Sequence, residues 1–144
     1  MKWAGCGSEL NKFHVAWLSE KIGQGRGWSY HECPTLGVYR GGLIAVVLYH
    51  DWNPDAGVIC LSAAATDKAW MTRKVIKAAH DYPFKQLGCQ ATIMQVSERN
   101  EGMLSIAKRL GYSMHCIPRM RGRDESEYLC LLADDTWRAS KLFK

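Results

Sequence analysis

Residues 91–112 read Ala91-Thr-Ile-Met-Gln-Val-Ser-Glu-Arg-Asn100-Glu-Gly-Met-Leu-Ser-Ile-Ala-Lys-Arg-Leu-Gly111-Tyr112, and this stretch decides the fold. Its first residues are apolar and β-branched enough for a strand. Asn100 is a favourable helix N-cap, because its side chain accepts a bond from a backbone N–H that the first turn leaves free. Apolar residues then recur at three- and four-residue steps, and Gly111 supplies the left-handed residue that ends a helix. The pattern predicts a strand, a helix and a strand restart at Tyr112.

Further strands are predicted on both sides of this unit. Two apolar runs, 36–40 and 43–49, flank Gly41-Gly42, which is the signal of a two-residue antiparallel hairpin. After a turn at 53–57, residues 58–64 are continuously apolar, as expected of a central strand. The last two strands are predicted at 112–118 and 127–132, joined by a charged turn over 119–125.

Two helices alternate with these strands. Ser8 is predicted to cap the first, with Gly23 ending it and an apolar face made of Leu10, Phe13, His14, Trp17, Leu18 and Ile22. On that face we expect His14 to be a packed residue. Asp67 is predicted to cap the second helix, which buries Thr72, Val75, Ile76 and Ala79 until Pro83 kinks or terminates it. The fold class is α/β (α+β) with a mixed sheet of about six or seven strands and three to four helices.

Length and composition indicate one globular domain over residues 1–144, since 47% apolar content in 144 residues supports one core. No apolar run approaches the roughly 20 residues of a membrane span, and the N-terminus lacks the apolar block of a secretion signal. We therefore expect a cytoplasmic protein with no membrane contact. The six cysteines include no CxxC pair, so we expect reduced thiols, with Cys60, Cys116 and Cys130 packed in strands. The spacing at His31-Glu32-Cys33 does not suit a structural zinc site, and we expect no metal.

The net charge of +5 and the pI near 8.9 favour an anionic partner. Nucleic acid and a phosphorylated cofactor both satisfy this condition. Basic and aromatic residues do not alternate as they do in a base-stacking surface, so nucleic acid is possible without being favoured. The segment 23–27 is glycine-rich, and we expect a loop there that borders a substrate cleft.

The joint spacing of several residues from Val58 to about Trp137 resembles the GCN5-related N-acetyltransferase (GNAT) family, especially the branch that contains the ribosomal-protein Nα-acetyltransferases. The matching residues are Tyr82-Pro83-Phe84, Leu87-Gly88, Asn100, Leu110-Gly111-Tyr112, Arg119, Asp124 and Tyr128.

The resemblance implies a mostly antiparallel GNAT-like sheet in which two central parallel strands, 58–64 and 91–96, splay apart. Acetyl-coenzyme A (acetyl-CoA) enters the gap as co-substrate, and its pantetheine arm pairs with backbone near Ser62 and Ala64. The pyrophosphate lies at the N-terminus of the next helix, where free N–H groups and the positive dipole end favour an anion. Asn100 matches the position that touches the cofactor arm. The helix tip would contribute Lys68, Trp70, Met71, Thr72, Arg73 and Lys74.

The sequence departs from the family at this helix tip. Two small positions of the pyrophosphate loop, one of them usually glycine, fall on Trp70 and Thr72. Glycine allows close approach of a phosphate to the backbone, so Trp70 either points into the core or reshapes the site. The alternative is a helix that no longer binds coenzyme A (CoA).

The implied chemistry needs a neutral amine, a thioester carbonyl polarised by a backbone N–H, a route for the amine proton and often an acid for the thiolate. The family's usual Tyr acid falls on Ala107, and Ser105 on the same helix is the candidate substitute. His50, at the end of the hairpin strand, is the candidate base, because imidazole accepts a proton at physiological pH. Asp51 and Asp55 are alternatives, as is catalysis by positioning with water relays.

These features predict an N-acetyltransferase that moves acetyl from acetyl-CoA to a primary amine by direct attack in a ternary complex. The acceptor stays open between a protein N-terminus, a lysine and a small amine, and Trp28, Tyr30 and Trp52 are candidates to line its cleft. Two other functions stay open: a non-catalytic binding module of the same fold, and a nucleic-acid-associated protein using the arginines of 119–123. We expect a monomer or a homodimer.

Overall fold

The computed structural model describes residues 1–22 and 33–144. The predicted loop at 23–27 and the residues Trp28, Tyr30, His31 and Glu32 lie outside the described residues. The strands are β1 (Lys2–Ala4), β2 (Thr35–Tyr39), β3 (Leu43–Asn53), β4 (Val58–Ala65), β5 (Ala91–Ser97), β6 (Ser113–Gly122) and β7 (Glu125–Ala133). The helices are α1 (Glu9–Ile22), α2 (Arg73–Asp81), α3 (Glu101–Leu110) and α4 (Asp134–Ala139). A π-helical turn (Tyr82–Gln86) extends α2, and a 3₁₀ turn (Lys141–Phe143) follows α4.

The described strands form one sheet in the order β1-β2-β3-β4-β5-β7-β6. Every neighbouring pair is antiparallel except β4 and β5, which run parallel. The predicted mixed sheet, the hairpin at Gly41-Gly42 and the central place of β4 are confirmed. None of the described helices has the length and apolar character that crossing a bilayer requires.

Helices cover both faces of the sheet, and each face has its own apolar cluster. On the first face, Val15 and Leu18 of α1 pack with Val46 and Leu48 of β3. The opposite face carries the larger cluster, where α2 and α3 pack on β2 to β5 and on β7 around the fully buried Tyr49. Successive side chains of a strand point to opposite faces of the sheet. The position of a residue in its strand therefore indicates whether its side chain lies on the α1 face or on the α2 face.

The buried face of α1 differs from the predicted one. Asn11, His14, Val15 and Leu18 are buried, whereas Phe13 is 52% exposed. Asn11 is polar, so a search for apolar residues at helical spacing does not include it. Its Nδ2 donates to Cys33 O at 2.9 Å and to Thr35 Oγ1 at 3.2 Å, which satisfies the buried amide. His14 is packed as expected, with Nδ1 2.8 Å from Thr35 Oγ1. A Cβ on Gly37 would lie 2.5 Å from His14 Nε2, so only glycine fits beneath this imidazole.

Helix α2 begins six residues after the predicted cap. Thr72 is its N-cap, and the Thr72 hydroxyl accepts from Val75 N at 3.3 Å. Asp67 instead accepts from Ala69 N at 2.8 Å, which closes a local turn. Pro83 was expected to kink or terminate the helix, but it sits in the π-helical turn, where the missing N–H is accommodated. Helix α3 has the predicted N-cap at Asn100 and ends at Gly111 with φ 98°.

The hairpin of β6 and β7 is longer than predicted. The strands reach Gly122 and begin again at Glu125, so the predicted turn over 119–125 shrinks to two residues. Charged residues alternate with uncharged residues along these strands, because one face of the hairpin lies in solvent. In the sequence, strands with so many charged residues look like a polar loop. Cys116 is exposed there and is not the packed thiol that was expected.

A buried hydrogen-bond chain joins α2 to the sheet. His80 Nδ1 lies 2.8 Å from Ile76 O, which can only accept, so Nε2 accepts from Tyr112 Oη at 2.8 Å. Tyr112 Oη lies 3.2 Å from Thr92 Oγ1. Burial lowers the pKa of His80 to about 4, despite its bond to the Ile76 carbonyl. The folded protein therefore holds this imidazole neutral.

The His80 pKa generates a prediction about stability. Above pH 6.5 the folded and unfolded states both carry neutral His80, and its contribution is complete. As the pH falls from 6.5 towards about 4, only the unfolded state gains the proton, so the free energy of unfolding falls by about 3 kcal/mol. Urea unfolding from pH 7 to pH 4 should show this slope in the wild type and lose it in His80→Gln. The exposed His115→Gln is the control, and equal slopes in all three proteins would contradict the assignment.

Candidate active site

The parallel strands β4 and β5 part halfway along their length. Their register pairs Val58 with Ala91 and ends at Leu61 with Met94, although β4 continues to Ala65 and β5 to Ser97. Beyond this point each strand keeps its other neighbour, since β4 remains paired with β3 and β5 with β7. The predicted splay of two central strands is therefore present.

Hydrogen-bond alternation shows which backbone groups of β4 face this gap. Thr66 N donates to Ile44 O at 2.8 Å, so these opposed residues form a bonded antiparallel pair. Bonded and non-bonded pairs alternate along such a ladder, so Ala64 and Ser62 also bond to β3. Ala63 and Ala65 therefore turn their N–H and C=O towards the gap. The sequence predicted pairing near Ser62 and Ala64, and the ladder turns the backbone groups of these two residues towards β3 and those of their neighbours Ala63 and Ala65 towards the gap.

The β5 edge of the gap is occupied by this chain's own groups. Glu98 N donates to Ser126 O, which by the same alternation turns Gln95 and Ser97 towards the gap. Gln95 O accepts from Arg121 Nη2 at 3.1 Å, and Ser97 O accepts from Asn100 N at 3.0 Å. A ligand in the gap would thus pair with β4 and not with the carbonyls of β5.

A cavity of about 420 Å³ occupies the gap, and residues from the end of α1 and from the start of α3 both line it. Among the described residues it is lined by 61–65 of β4, 94–97 of β5, Lys21, Ile22, Asn100, Met103 and Arg121. Of the predicted cofactor residues, Ser62, Ala64 and Asn100 are in this lining. Asn100 also caps α3 through Oδ1, which accepts from Met103 N at 3.2 Å.

The β4 wall of the cavity carries a chain of hydrogen-bonded polar groups. Ser62 Oγ lies 2.7 Å from His50 Nε2, and His50 Nδ1 lies 2.5 Å from Asp51 Oδ2. A carboxylate only accepts, so Nδ1 carries the hydrogen and Nε2 accepts from the Ser62 hydroxyl. His50 is 5% exposed. The structure thus connects the predicted base to the cavity through Ser62.

Asp51 reaches its neighbour through an unusual backbone conformation. Its φ is 52°, and the register of β3 on β4 shifts between His50 and Asn53. A non-glycine residue in the left-handed region carries about 1–2 kcal/mol of strain. The strained residue is the one that orients the imidazole. Asp55, the other alternative, lies in the exposed turn after β3.

An ion pair that the sequence analysis missed forms the opposite wall. Arg121 Nε donates to Glu127 Oε1 at 3.0 Å, and Glu127 is buried. Glu127 begins the predicted last strand, but Arg121 lies in the end of β6 that was predicted as a turn, so the sequence prediction did not pair the two residues. Among the described residues, Ser62 therefore links the cavity lining to His50 and Asp51 on one side, and Arg121 links it to Glu127 on the other.

The tip of α2 lies outside the cavity lining. Arg73 and Lys74 provide first-turn amides, while Val75 N is bonded to Thr72. Lys68 and Lys74 are exposed, and Arg73 Nη2 donates to Lys141 O at 2.8 Å. A diphosphate held here would meet two exposed ammonium groups and the positive end of the helix dipole.

Trp70 and Met71 are core residues. The Trp70 side chain is 8% exposed within the cluster on the α2 face, and Met71 packs against the same cluster. The structure therefore selects the first of the two alternatives for Trp70: the indole points into the core, leaves the gap open and offers no side-chain contact to an anion.

The candidate acid has no support from its position. Ser105 is exposed on α3 and does not line the cavity, although Met103 does. Ala107 is fully buried against the core, so this face of α3 presents no proton donor.

His50, Asp51 and Cys60 form a further constellation. Their ligand atoms all lie within 4.8 Å of one another, which suits a metal ion held by nitrogen, oxygen and sulfur. Burial, followed by the charge of Asp51, raises the pKa of Cys60 to about 11. The expectation of no metal came from sequence spacing, and spacing does not reveal ligands on adjacent strands.

Of the comparisons with known proteins, the one with solved structures bears on the fold. No protein-family model matches the sequence, and no curated protein sequence matches it. Among solved structures, a mutant of spermidine N-acetyltransferase SpeG from Vibrio cholerae is similar, with a TM-score of 0.65, 15% identity, and coverage of 74% of this chain and 69% of that one. A chimera of that protein and hSSAT gives a TM-score of 0.74 at 12% identity, covering 97% and 100%. At these identities the likeness concerns the fold, which is the GNAT-like fold of N-acetyltransferases. The comparisons do not single out the ribosomal-protein branch.

The position of Trp70 generates a test. If the indole is a core residue, Trp70→Gly should lower the free energy of unfolding by about 3–5 kcal/mol, because it leaves a large cavity. If Trp70 instead blocked a glycine-type phosphate loop, the same change would leave stability nearly unaltered. Urea unfolding distinguishes the two, with the exposed Trp52→Gly as the matched control.

Proposed function

We propose that this protein is an N-acetyltransferase that transfers the acetyl group of acetyl-CoA to a primary amine. The observation that carries the proposal is the gap between β4 and β5, into which Ala63 and Ala65 turn backbone groups that pair with no described strand. The N-acetyltransferase fold of the neighbouring structures supports the same activity.

In this proposal the pantetheine arm runs along β4 as an additional strand. Ala65 bonds to the arm, and Ala63 N–H, nearer the point where the strands part, polarises the thioester carbonyl. The diphosphate lies at the amides of Arg73 and Lys74, with the Lys68 ammonium beside it. Asn100 contacts the arm from the β5 side.

Acetyl transfer would proceed by direct attack in a ternary complex. The amine nitrogen forms the C–N bond as the C–S bond breaks, and CoA leaves as its thiolate. The amine proton passes to Ser62 and from there to His50, whose imidazolium is stabilised by Asp51. Ser105 has no part in this scheme, because it lies outside the cavity lining.

The acceptor is an amine whose class is open between a protein N-terminus, a lysine and a small amine. The neighbouring structures are named for spermidine, which places polyamines first in a screen. We propose a cytoplasmic protein that acts as a monomer or a homodimer.

A second candidate is a binding module of the same fold without catalysis. Trp70 in place of a small residue and Ala107 in place of an acid favour it. Nucleic-acid binding through the arginines of 119–123 is less well supported, since Arg121 is paired with Glu127 beside the cavity.

Two measurements on the purified protein test the proposed function. Titration calorimetry with acetyl-CoA should show binding, and mixing with acetyl-CoA plus a panel of amines should release free thiol together with the acetylated amine, identified by mass spectrometry. Binding without amine-dependent thiol release would favour the binding module. Absence of binding would overturn the proposed function.

The ladder alternation generates a sharper prediction. Ala65→Pro removes only an N–H that faces the gap, so the protein should fold while acetyl-CoA affinity falls about tenfold, on the order of 1.4 kcal/mol. Ala64→Pro removes a ladder N–H and leaves its carbonyl partner on β3 unsatisfied, so it should instead destabilise the sheet by about 1–3 kcal/mol. Calorimetry and urea unfolding measure the two effects. Unaltered affinity in a folded Ala65→Pro protein would exclude pairing of the arm with this residue.

A further inference from the structure

The polar chain on β4 has the composition and connectivity of a serine acyl-transfer site. A hydroxyl bonds to one imidazole nitrogen at 2.7 Å, and the other imidazole nitrogen bonds to a carboxylate at 2.5 Å. These are the roles of nucleophile, base and orienting acid, which are recognised by geometry and not by chain order. The residue that carries this hydroxyl, Ser62, is in the lining of the cavity that an acyl donor would enter.

The two strands fix this arrangement. Cys60 is opposite His50 in the register, so Ser62 is the diagonal neighbour of His50 on the same face. The His50 imidazole is buried between the Ser62 hydroxyl and the Asp51 carboxylate. The left-handed backbone conformation of Asp51 lets its carboxylate bond to the side chain of the preceding residue. The hydrogen-bonded chain thus arises from one register and one bulge.

A donor for a developing oxyanion is also in place. The residue after Ser62 is Ala63, whose N–H faces the gap by ladder alternation. The backbone N–H that follows a nucleophile contributes to the oxyanion hole in other acyl-transfer enzymes. Nucleophile and oxyanion donor are therefore consecutive residues beside one cavity.

We propose that Ser62 accepts an acyl group from thioesters and activated esters, and that water then hydrolyses the acyl-enzyme when no amine is present. For acetyl-CoA as donor, the inference rests on the cofactor binding proposed above. It adds an acyl-CoA hydrolase activity and a covalent intermediate to an enzyme whose amine reaction proceeds by direct attack.

With acetyl-CoA as donor, hydrolysis would take place in two steps, acylation of Ser62 and then deacylation by water. Ser62 Oγ bonds to the acetyl carbonyl carbon while its proton moves to His50 Nε2. The C–S bond breaks, and CoA leaves as a thiol with the proton from His50. Water then attacks the ester and gives a proton to Nε2. The ester C–O bond breaks, Ser62 regains the proton, and acetic acid leaves and ionises.

The experiment uses two acyl donors without amine, in the presence of a chelator so that a metal at His50, Asp51 and Cys60 cannot contribute. Acetyl-CoA reports thiol release, and p-nitrophenyl acetate reports acylation with no need for the CoA site. Intact-mass and peptide mass spectrometry after acid quench should find one acetyl group on Ser62. Ser62→Ala and His50→Gln should lower both hydrolysis rates by about a hundredfold or more, while Ser113→Ala leaves them unchanged.

The outcomes separate this inference from the proposed function. Acetyl-Ser62 from p-nitrophenyl acetate in a protein that does not bind acetyl-CoA would support the serine site and overturn the transferase. Amine acetylation with no acetyl-Ser62 from either donor, or hydrolysis that survives in Ser62→Ala, would overturn the serine site alone. An acetyl group found on a lysine and not on Ser62 would also overturn it.

Discussion

The separation of β4 from β5 after Leu61 and Met94 is the constraint on which the rest of this structure depends. Two adjacent parallel strands can part inside a sheet only if each keeps a full ladder on its other side, since an unpaired buried backbone group costs several kcal/mol in apolar surroundings. Here β3 and β7 provide those ladders. The parting creates both the cavity and the exposed backbone of β4.

The two edges of the gap differ in whether their backbone groups already have partners, and this difference determines which ligands the gap can bind. On β5 the carbonyls of Gln95 and Ser97 have partners from this chain. On β4, Ala63 and Ala65 present backbone groups with only a methyl side chain each, so an extended ligand can approach closely. An elongated amide-bearing arm fits such an edge, because it can bond as an added strand while its reactive end reaches the polar chain of Ser62, His50 and Asp51.

The sequence predicted the fold well where local signals are strong. The cap at Asn100, the end of α3 at Gly111, the hairpin at Gly41-Gly42 and the central apolar strand were all confirmed, because each depends on a few neighbouring residues. The predicted start of α2 was wrong, since Asp67 and Thr72 are both good caps and local sequence does not distinguish them. The inner ends of the β6–β7 hairpin were mistaken for a longer turn, because their exposed residues are as polar as a loop.

The site was harder to predict from the sequence, because its side chains come from different strands. Which of them lie side by side depends on the register in which those strands pair. His50 was chosen for its titration range, but its bond to Ser62 depends on the pairing of Cys60 with His50. The pair of Arg121 and Glu127 depends on the extension of β6 beyond residue 118, into residues that were predicted as a turn. The finding that Ala63 and Ala65, and not Ser62 and Ala64, face the gap required one hydrogen bond of the structure, from which the alternation of the whole ladder follows.

Residue-resolved amide hydrogen exchange, measured by NMR with and without acetyl-CoA, tests the central claim most directly. In the free protein the amides of Ser62 and Ala64 should be protected by the ladder with β3, while those of Ala63 and Ala65 exchange fast. Acetyl-CoA should slow exchange at Ala63 and Ala65. Protection of Ala63 and Ala65 in the free protein would mean that β4 and β5 stay paired along their length, and would contradict the account.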